Sequence, residues 1–455
     1  MEDLMGILKS LNREQREAVG LLQIGTFLEY FDLMLYVHMA VLLNELFFPK
    51  TDPHTAALVT AFAFCSTYVL RPFGALFFGY LGDHIGRKAT VIITTTMMSI
   101  SCALMANLPT YAQIGIAATY LVTLCRIVQG LSSMGEIVGA QVYVTEITKP
   151  PAQYPAVAFI SIASAIGSIL ALGIASLVTH FGFNWRIAFW IGAGIAVVGS
   201  VARTKLRETP EFVDMKRKKQ IEIEQQEKNE GRRINKFEII KKRIRQEKII
   251  KETFAFYFLV NCGWPVSFYL AYMYFNPLLK ETYHYSSEDI IVHNFLISIA
   301  AFVFDSLWSL LCYTIHPLKI LKGRGLTFLV FAVFLPFMIT QTTHPFQLFG
   351  IQVFLLAFSL AQMPAAPVFI KSFPVFKRFT ATSFTYAATR ALMYIVTSFG
   401  VVYLTQGFGH YGLWILMLPI TVGYLWGVRH FERLEGLRPD KPTPIKEERV
   451  LGKAA

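Results

Sequence analysis

Long apolar runs separated by short polar stretches occupy most of the chain. Because a helix needs about 20 mostly apolar residues to cross a hydrocarbon core of about 30 Å, each run of that length is a candidate transmembrane helix. In the first half of the chain the candidate spans are 19–43, 56–82, 90–108, 112–142, 155–179 and 185–203. In the second half they are 252–276, 290–315, 325–343, 346–371, 379–405 and 410–430. Membrane strands would alternate over about 10 residues, so the pattern predicts an all-α membrane protein with 12 transmembrane helices.

Basic residues are concentrated in alternate connections between these spans. They lie at Arg87 and Lys88, throughout 203–251, at Lys319, Lys322 and Arg324, at Lys371, Lys377 and Arg378, and in the C-terminal tail. The intervening connections hold almost none, with Lys50 and Lys280 as the exceptions. Since basic connections stay on the cytoplasmic side of a membrane, we expect both termini and the central segment to be cytoplasmic. No signal peptide is expected at 1–18, where a cleavage site after a short apolar core is missing.

A central polar segment divides the spans into two sets of six. We expect an N-terminal six-helix bundle at 1–203, a basic cytoplasmic linker at 204–251, a C-terminal six-helix bundle at 252–431 and a cytoplasmic tail at 432–455. This layout is typical of transporters built from two repeated halves, whose solute site lies between the halves near mid-membrane. The linker either forms amphipathic helices attracted to anionic membrane lipid or is a solvated connection.

Composition and charge argue against several classes of protein. The chain of 455 residues is 54% hydrophobic and 16% charged, with a mean hydropathy of +0.47, which is too apolar for an ordinary soluble enzyme. The net charge of +12 follows from the basic connections, so no nucleic-acid partner is expected. Enzyme motifs such as a nucleophile elbow or a phosphate loop are missing, and we expect no enzymatic activity. All cysteines fall inside predicted spans without metal-ligand spacing, so we expect no metal, disulfide or cofactor: Cys65, Cys102, Cys125, Cys262 and Cys312.

The most specific motif lies at the end of the second span and contains Gly79, Asp83, Gly86, Arg87 and Lys88. Its glycines permit a tight turn and a close helix approach, and Asp83 can accept hydrogen bonds from a helix N-terminus or pair with a cation. This spacing resembles the signature between the second and third helices of the major facilitator superfamily. The resemblance implies a gate that stabilises one access state of a transporter. A plain basic turn would explain Arg87 and Lys88 but not Asp83 with its glycines.

Other motifs resemble the metabolite:proton symporter branch of that superfamily, which includes carriers of proline/betaine, 2-oxoglutarate, citrate and shikimate. In the first half these motifs are Gly25–Asp32, Arg71–Ala75, Arg126–Gly130, Gly135–Ala140 and Leu206–Phe212. In the second half the resemblance is limited to Phe373–Pro374, Arg378–Ala381 and Ala388–Ala391. The loop that should repeat the first gate motif, His316–Arg324, contains no acid, so a symmetric pair of gates is not expected.

Charged residues inside the spans are candidates for function, because each costs about 2.5–3.5 kcal/mol to insert. Glu29 and Asp32 are three residues apart and share a helix face. Two close carboxylates do not both stay ionised at low dielectric, so one is a candidate to hold the coupling proton. The alternative is a carboxylate locked in a salt bridge with Arg71 or Arg126.

Three arginines supply the positive charge at membrane depth, namely Arg71, Arg126 and Arg390. A guanidinium binds a carboxylate through two parallel hydrogen bonds, so we expect at least one of the three to bind an anionic or zwitterionic solute. The family resemblance implies that Arg71 contacts substrate and that Arg126 takes part in proton transfer. For Arg390 the alternative is snorkelling to the membrane interface.

The remaining candidates carry weaker signals. Glu136 lies roughly 15 Å along its helix from Arg126, and we expect it to act in the gate or in helix packing. Asp305 in the eighth span is not explained by the family pattern. In the seventh span, Pro265 after Gly263 predicts a bend of the kind that lines transporter cavities. Aromatic residues are expected either to line that cavity and attract a cation or to serve as packing and interface residues: Tyr30, Trp264, Tyr269 and Tyr272.

The sequence therefore predicts a monomeric, proton-coupled importer that works by alternating access in the inner membrane of a bacterium. We expect a carboxylate-bearing metabolite as the solute, either a polycarboxylate or an iron chelate of that type (a siderophore), because three arginines meet few acids at depth. Three alternatives stay open: a symporter for a zwitterionic osmolyte such as proline or betaine, an efflux pump, and a solute sensor that binds without transporting.

Overall fold

The described part of the chain is helical. A computed structural model describes residues 11–48, 68–181, 184–230 and 250–437, and these ranges contain helices but no strands. The first half forms α1 Arg13–Phe47, α2 Arg71–His84, α3 Arg87–Asn107, α4 Tyr111–Ile114, α5 Ile116–Ile147, α6 Gln153–Phe181 and α7 Arg186–Arg203. The helix α8, Pro210–Glu230, follows inside the predicted linker.

The second half contains more breaks. Its helices are α9 Lys251–Asn261, α10 Gly263–Tyr269, α11 Phe275–Tyr283, α12 Ser287–Leu311, α13 Pro317–Thr340, α14 Pro345–Ala357, α15 Ala366–Lys371, α16 Val375–Phe408 and α17 Leu413–Leu434. A π-helical turn, Leu270–Tyr274, joins α10 to α11, and a 3₁₀ turn, Gly409–Gly412, precedes α17.

Each of the twelve predicted spans corresponds to one or more of these helices. Seven helical stretches in the described ranges are long and apolar enough to cross a membrane, one being Val375–Leu434, which contains α16 and α17. Residues 56–67 of the second predicted span lie outside the description, as does 231–249 of the predicted linker. The domain boundaries and the cytoplasmic position of the termini stay predictions. We call the end of the bundle where α2 meets α3 the basic end.

The bend predicted in the seventh span is confirmed. Helix α9 ends at Asn261 and α10 begins at Gly263, where Pro265 has no N–H to donate to a preceding carbonyl. A side chain at Gly263 would collide with the Leu360 side chain and come within 2.6 Å of its carbonyl oxygen. The bend therefore packs directly against the segment around Leu360.

The tenth span was predicted to be continuous over 346–371, and that prediction is wrong. Helix α14 ends at Ala357 and α15 starts at Ala366. Pro364, just before α15, and Pro367, at its start, have no backbone N–H to donate, so a continuous helix is disfavoured there. Side chains satisfy the carbonyl groups that the break frees. Trp308 donates to the Ala357 carbonyl at 2.7 Å, Arg324 to those of Ser359 and Met363 at 2.7 and 2.9 Å, and Tyr424 to that of Ala361 at 2.9 Å.

The ninth helix also starts earlier than predicted. The predicted span begins at 325, but α13 begins at Pro317, where proline lacks only a donor that the first turn does not use. The His316 ring accepts from the Leu318 amide at 3.3 Å and caps this turn. Arg324, which the charge pattern assigned to a polar connection, therefore lies within a helix and is buried.

Close backbone contact holds α1 against α6, and glycine makes it possible. A Cβ added at Gly167 would collide with the Phe27 carbonyl oxygen and lie 3.2 Å from the Phe31 amide nitrogen. Gly173, one and a half turns further along α6, has no atom within 4 Å of an added Cβ. The two glycines therefore offer a matched pair for testing this contact.

We expect Gly167→Ala to lower the melting temperature of the detergent-solubilised protein, since overpacking costs about 1–3 kcal/mol. Gly173→Ala should leave that temperature unchanged or raise it, because alanine favours a helix over glycine. The melting curves of the two variants and the parent chain provide the measurement. Equal melting temperatures for both variants would contradict the packing assigned to α1 and α6.

Candidate functional site

A cavity of about 380 Å³ lies between the two halves. Helices α1, α5 and α6 of the first half line it with residues such as Thr26, Tyr30 and Gln141, and α10, α12 and α16 line it from the second half. Small-molecule sites are commonly about 300–1,000 Å³, so this volume suits a small solute.

An aromatic wall forms much of the surface that the second half contributes to the cavity. Trp264, Phe268 and Tyr272 follow one another at four-residue spacing, so they share a helix face, with ring centroids 6.2 and 5.0 Å apart. The predicted cavity residues Tyr30, Trp264 and Tyr272 all lie on the lining. Tyr269 does not, because it lies on another face of α10 and packs against the core of the second half.

Further aromatic residues on the lining were missed by the sequence analysis. Phe268 was recognisable from its spacing between Trp264 and Tyr272, but Trp308 and Tyr386 were not. The Tyr386 hydroxyl lies 3.4 Å from that of Tyr30, which joins the second half to the first across the cavity.

Among the residues that the structure describes, three charged side chains line the cavity, namely Asp305, Arg324 and Arg390. The Arg390 guanidinium lies 3.3 Å from the centroid of the Tyr386 ring and donates to the Tyr386 carbonyl at 3.4 Å. Arg324 donates to the backbone of the break between α14 and α15 and to the Ser359 hydroxyl at 2.9 Å. The lining is therefore mixed in charge, with a carboxylate and two guanidinium groups.

Arg71 and Arg126, two predicted substrate contacts, do not lie on this lining. Both are buried, at 3% and 6% exposure. The Arg71 guanidinium lies 4.8 Å from the Tyr68 ring, which in turn lies 4.6 Å from the ring of Tyr394. Arg71 is thus held at the contact between α2 and α16, behind the cavity surface.

Arg126 forms a buried ion pair with Asp32. Its guanidinium lies 3.3 Å from the Asp32 carboxylate and donates to Gln129 at 2.8 Å. The Asp32 carboxylate also accepts from the Gln129 amide at 3.1 Å and from the Cys102 thiol at 3.4 Å. The structure therefore brings together two of the predicted coupling residues. The side chains of Glu29 and Glu136 lie outside the described part, so their predicted roles stay predictions.

The predicted gate motif contacts the second half directly. The Asp83 carboxylate accepts from the amides of Phe379 and Thr380 at 3.1 and 2.9 Å and from the Thr380 hydroxyl at 2.8 Å. It also lies 3.4 Å from the Arg87 guanidinium. Asp83 thus both accepts near the start of α16 and pairs with a cation, the two contacts considered for it from the sequence.

The glycines of the motif allow this approach. A Cβ at Gly79 would lie 2.7 Å from the Thr380 Cα, and one at Gly82 would lie 2.7 Å from the Phe379 ring. Gly86 has a φ of +134°, a conformation that favours glycine, and an added Cβ there would collide with the Glu208 carboxylate. That carboxylate accepts from the Arg87 amide at 3.0 Å and from the Lys88 amide at 3.3 Å, capping α3.

Glu146 is the largest omission from the sequence analysis. Its carboxylate, buried at the end of α5, lies 3.0 Å from Arg87 of the first half and 3.1 Å from Arg378 of the second. The Thr209 hydroxyl donates to it at 2.6 Å, and Arg378 also pairs with Glu211 at 2.5 Å.

We call Asp83, Arg87, Glu146, Glu211 and Arg378 the inter-half network. Glu146 lies just past the end of the predicted fourth span, so it is not among the charged residues predicted inside the spans. No group of acids, histidines or cysteines in the described ranges has the arrangement of a metal site.

Comparison with known proteins agrees with this architecture. Residues 22–398 match the Major Facilitator Superfamily. The proline/betaine transporter of Salmonella typhimurium is 30% identical over 303 residues, 63% of this chain and 57% of that protein. The inner membrane metabolite transport protein YhjE of Escherichia coli is 36% identical over 209 residues, 44% of this chain and 48% of that protein. The aligned regions thus span about half the length of these relatives.

A solved structure supports the fold at greater coverage. The proton:xylose symporter XylE, bound to 6-bromo-6-deoxy-D-glucose, superimposes with a TM-score of 0.71 at 15% identity, over 93% of this chain and 96% of that one. At this identity the likeness concerns the fold alone. It confirms the predicted major facilitator fold, and the match of residues 22–398 confirms the predicted family. The chain belongs to the Major Facilitator Superfamily and is a multi-pass membrane protein.

Proposed function

We propose that this transporter carries a small zwitterionic solute, with one carboxylate and one cationic nitrogen, in symport with protons. The observation that carries the proposal is the cavity lining, where the Arg390 guanidinium occurs together with an aromatic wall. The relative from Salmonella typhimurium named as a proline/betaine transporter is consistent with such a solute. We place the transporter in the inner membrane of a bacterium, as a monomer working in the direction of import.

The carboxylate of the solute is assigned to Arg390. A guanidinium offers two parallel N–H groups that match a carboxylate, and Arg390 lines the cavity from α16. The expectation of a polycarboxylate depended on three arginines, but Arg71 and Arg126 lie behind the lining. Arg324 is on the lining, yet its guanidinium already donates to Ser359 and Met363. One available guanidinium suits one carboxylate better than three.

The cationic nitrogen is assigned to the aromatic wall. A cation over the face of a tryptophan or tyrosine ring gains about 0.5–2 kcal/mol, most when it is desolvated. Trp264 and Tyr272 offer such rings on the lining, whereas the Trp308 ring already has the Arg324 guanidinium 5.6 Å from its centroid. A quaternary ammonium group, which has no N–H to donate, is recognised in this way.

Proton coupling is assigned to Asp32 with Arg126. Protonation of Asp32 would neutralise one member of the buried pair and release the other from it, at a position on α1 next to residues of the cavity lining. Protonation and solute binding each shift the balance between the two access states, because each interacts differently with those states. The inter-half network is assigned to the state that is closed at the basic end.

We expect Arg390→Lys to weaken the binding of glycine betaine by at least about tenfold, since a hydrogen bond to a charged group contributes about 1.5–3 kcal/mol. Titration calorimetry on the purified protein measures the affinity. Arg71→Lys is the matched control, because Arg71 lies off the lining, and it should change the affinity much less. A larger loss for Arg71→Lys than for Arg390→Lys would contradict the assignment.

We expect Asp32→Asn to abolish accumulation of the solute driven by a pH gradient in proteoliposomes, because an amide does not take up the coupling proton. Exchange of labelled for unlabelled solute should persist. Asp214→Asn, which changes an exposed carboxylate on α8, is the control, and Glu29→Gln tests the other candidate. Full accumulation by Asp32→Asn would reject the coupling role, while a parent chain that binds without accumulating would be a sensor.

We expect Asp83→Asn to open the basic end more often, because an amide oxygen accepts fewer of the hydrogen bonds that now reach Asp83. With Gln141→Cys as a reporter on the cavity lining, an impermeant thiol reagent applied at the basic end should react about fivefold faster, as expected for about 1 kcal/mol. Glu17→Gln, which breaks an exposed pair with Arg13, should leave the rate unchanged. An unaltered rate in Asp83→Asn would reduce Asp83 to a turn residue.

A further inference from the structure

Asp305 is a carboxylate on the cavity lining to which neither the family resemblance nor the proposed function gives a role. It lies in the last third of α12, inside the predicted eighth span, among a set of residues that line the cavity at spacings of three and four, so they share one helix face. That set is Ser298, Ala301, Phe302, Asp305, Trp308 and Ser309. The position is therefore at membrane depth and on the cavity surface. A charge there is costly unless another group or a ligand compensates it.

No hydrogen bond or ion pair with the described residues holds the Asp305 carboxylate in place. Across residues 11–48, 68–181, 184–230 and 250–437, no side chain or amide donates to it, and no cation lies within salt-bridge distance. Arg324 on α13 lines the same cavity and stabilises the negative charge electrostatically. Arg324 is instead directed to the break between α14 and α15, where it donates to Ser359 and Met363. Arg324 thus moderates the cost of the negative charge without occupying the carboxylate.

The surroundings of Asp305 suit a positive group. Phe302 and Trp308 flank it on the same helix face, and Tyr272 of the aromatic wall lies on the same lining. Aromatic faces and a carboxylate attract the same ligand charge, and the attraction is stronger where water is excluded. The hydroxyl of Tyr272 lies 3.1 Å from that of Ser298, which fixes the ring on the lining.

We propose that Asp305 recognises the cationic nitrogen of the solute, so that Asp305 on α12 and Arg390 on α16 bind the two opposite charges of one zwitterion. The proposal rests on the proposed function, since it needs a zwitterionic solute. Asp305 then determines specificity: a solute that carries the carboxylate but no positive charge leaves Asp305 uncompensated in the cavity. Such a solute should be rejected by the parent chain.

The test compares two ligands of nearly the same shape that differ in charge. Glycine betaine carries a trimethylammonium group, and 3,3-dimethylbutanoate replaces it with a neutral tert-butyl group. The binding of each to the full-length purified chain is measured by titration calorimetry, for the parent, for Asp305→Asn and for Asp289→Asn. Asp289, exposed in the first turn of α12, is the control for loss of a carboxylate from the same helix.

We expect the parent and Asp289→Asn to prefer betaine over the neutral analogue by about tenfold or more, as for a charge-assisted contact. Asp305→Asn should lose that preference by binding betaine more weakly and the analogue equally well or better. Because the comparison is between two ligands of one variant, partial misfolding does not mimic the result. The melting temperature of each variant is recorded beside it.

Other outcomes separate the two proposals. A parent chain that binds betaine, with the same preference retained in Asp305→Asn, overturns the role of Asp305 and leaves the zwitterionic solute standing. If Asp305→Asn keeps the preference but loses accumulation driven by a pH gradient, Asp305 carries the proton instead. That result also overturns its role in recognising the cationic nitrogen. A parent chain that binds neither betaine nor proline, but binds a polycarboxylate, rejects the proposed function and Asp305 as its ligand together.

Discussion

A carboxylate buried in a membrane protein is stable only if cations and donors compensate it, and the contact between the two halves depends on one such carboxylate. Glu146 of α5 is shared by Arg87 of the first half and Arg378 of the second. Because α5 and α16 also line the cavity, this contact, together with that of Asp83 with α16, holds the two walls of the cavity relative to each other. A charge network at one end of the bundle thereby determines the shape of the site at its middle.

The same constraint divides the other buried charges into two groups. Asp32 and Arg126 compensate each other, and Arg324 compensates the free carbonyl groups of a broken helix. Asp305 and Arg390 lie on the cavity lining without a salt bridge to each other. A ligand with both signs of charge would satisfy these two together, which is the basis of the proposal of a zwitterionic solute.

Irregular backbone is confined to the second half of the described cavity walls. The bend at Gly263 packs against Leu360 in the break between α14 and α15, and side chains such as Trp308 and Tyr424 satisfy the freed carbonyls. Backbone of this kind is tolerated at membrane depth only where protein or a cavity surrounds it. Arg324, which stabilises the break, also lies on the lining with Asp305, so one side chain joins the break to the charged lining.

The sequence by itself determined the helical class, the approximate positions of most spans and the family, because apolar run length and the motif around Asp83 are local properties of the chain. It did not determine which of Arg71, Arg126 and Arg390 reaches the cavity, since that depends on how each helix is rotated and packed. Nor did it identify Glu146, whose role exists only when two halves distant in sequence come together. Tertiary contacts decide which charged side chains are buried. In this fold they leave Arg390 on the cavity lining and keep Arg71 and Arg126 off it.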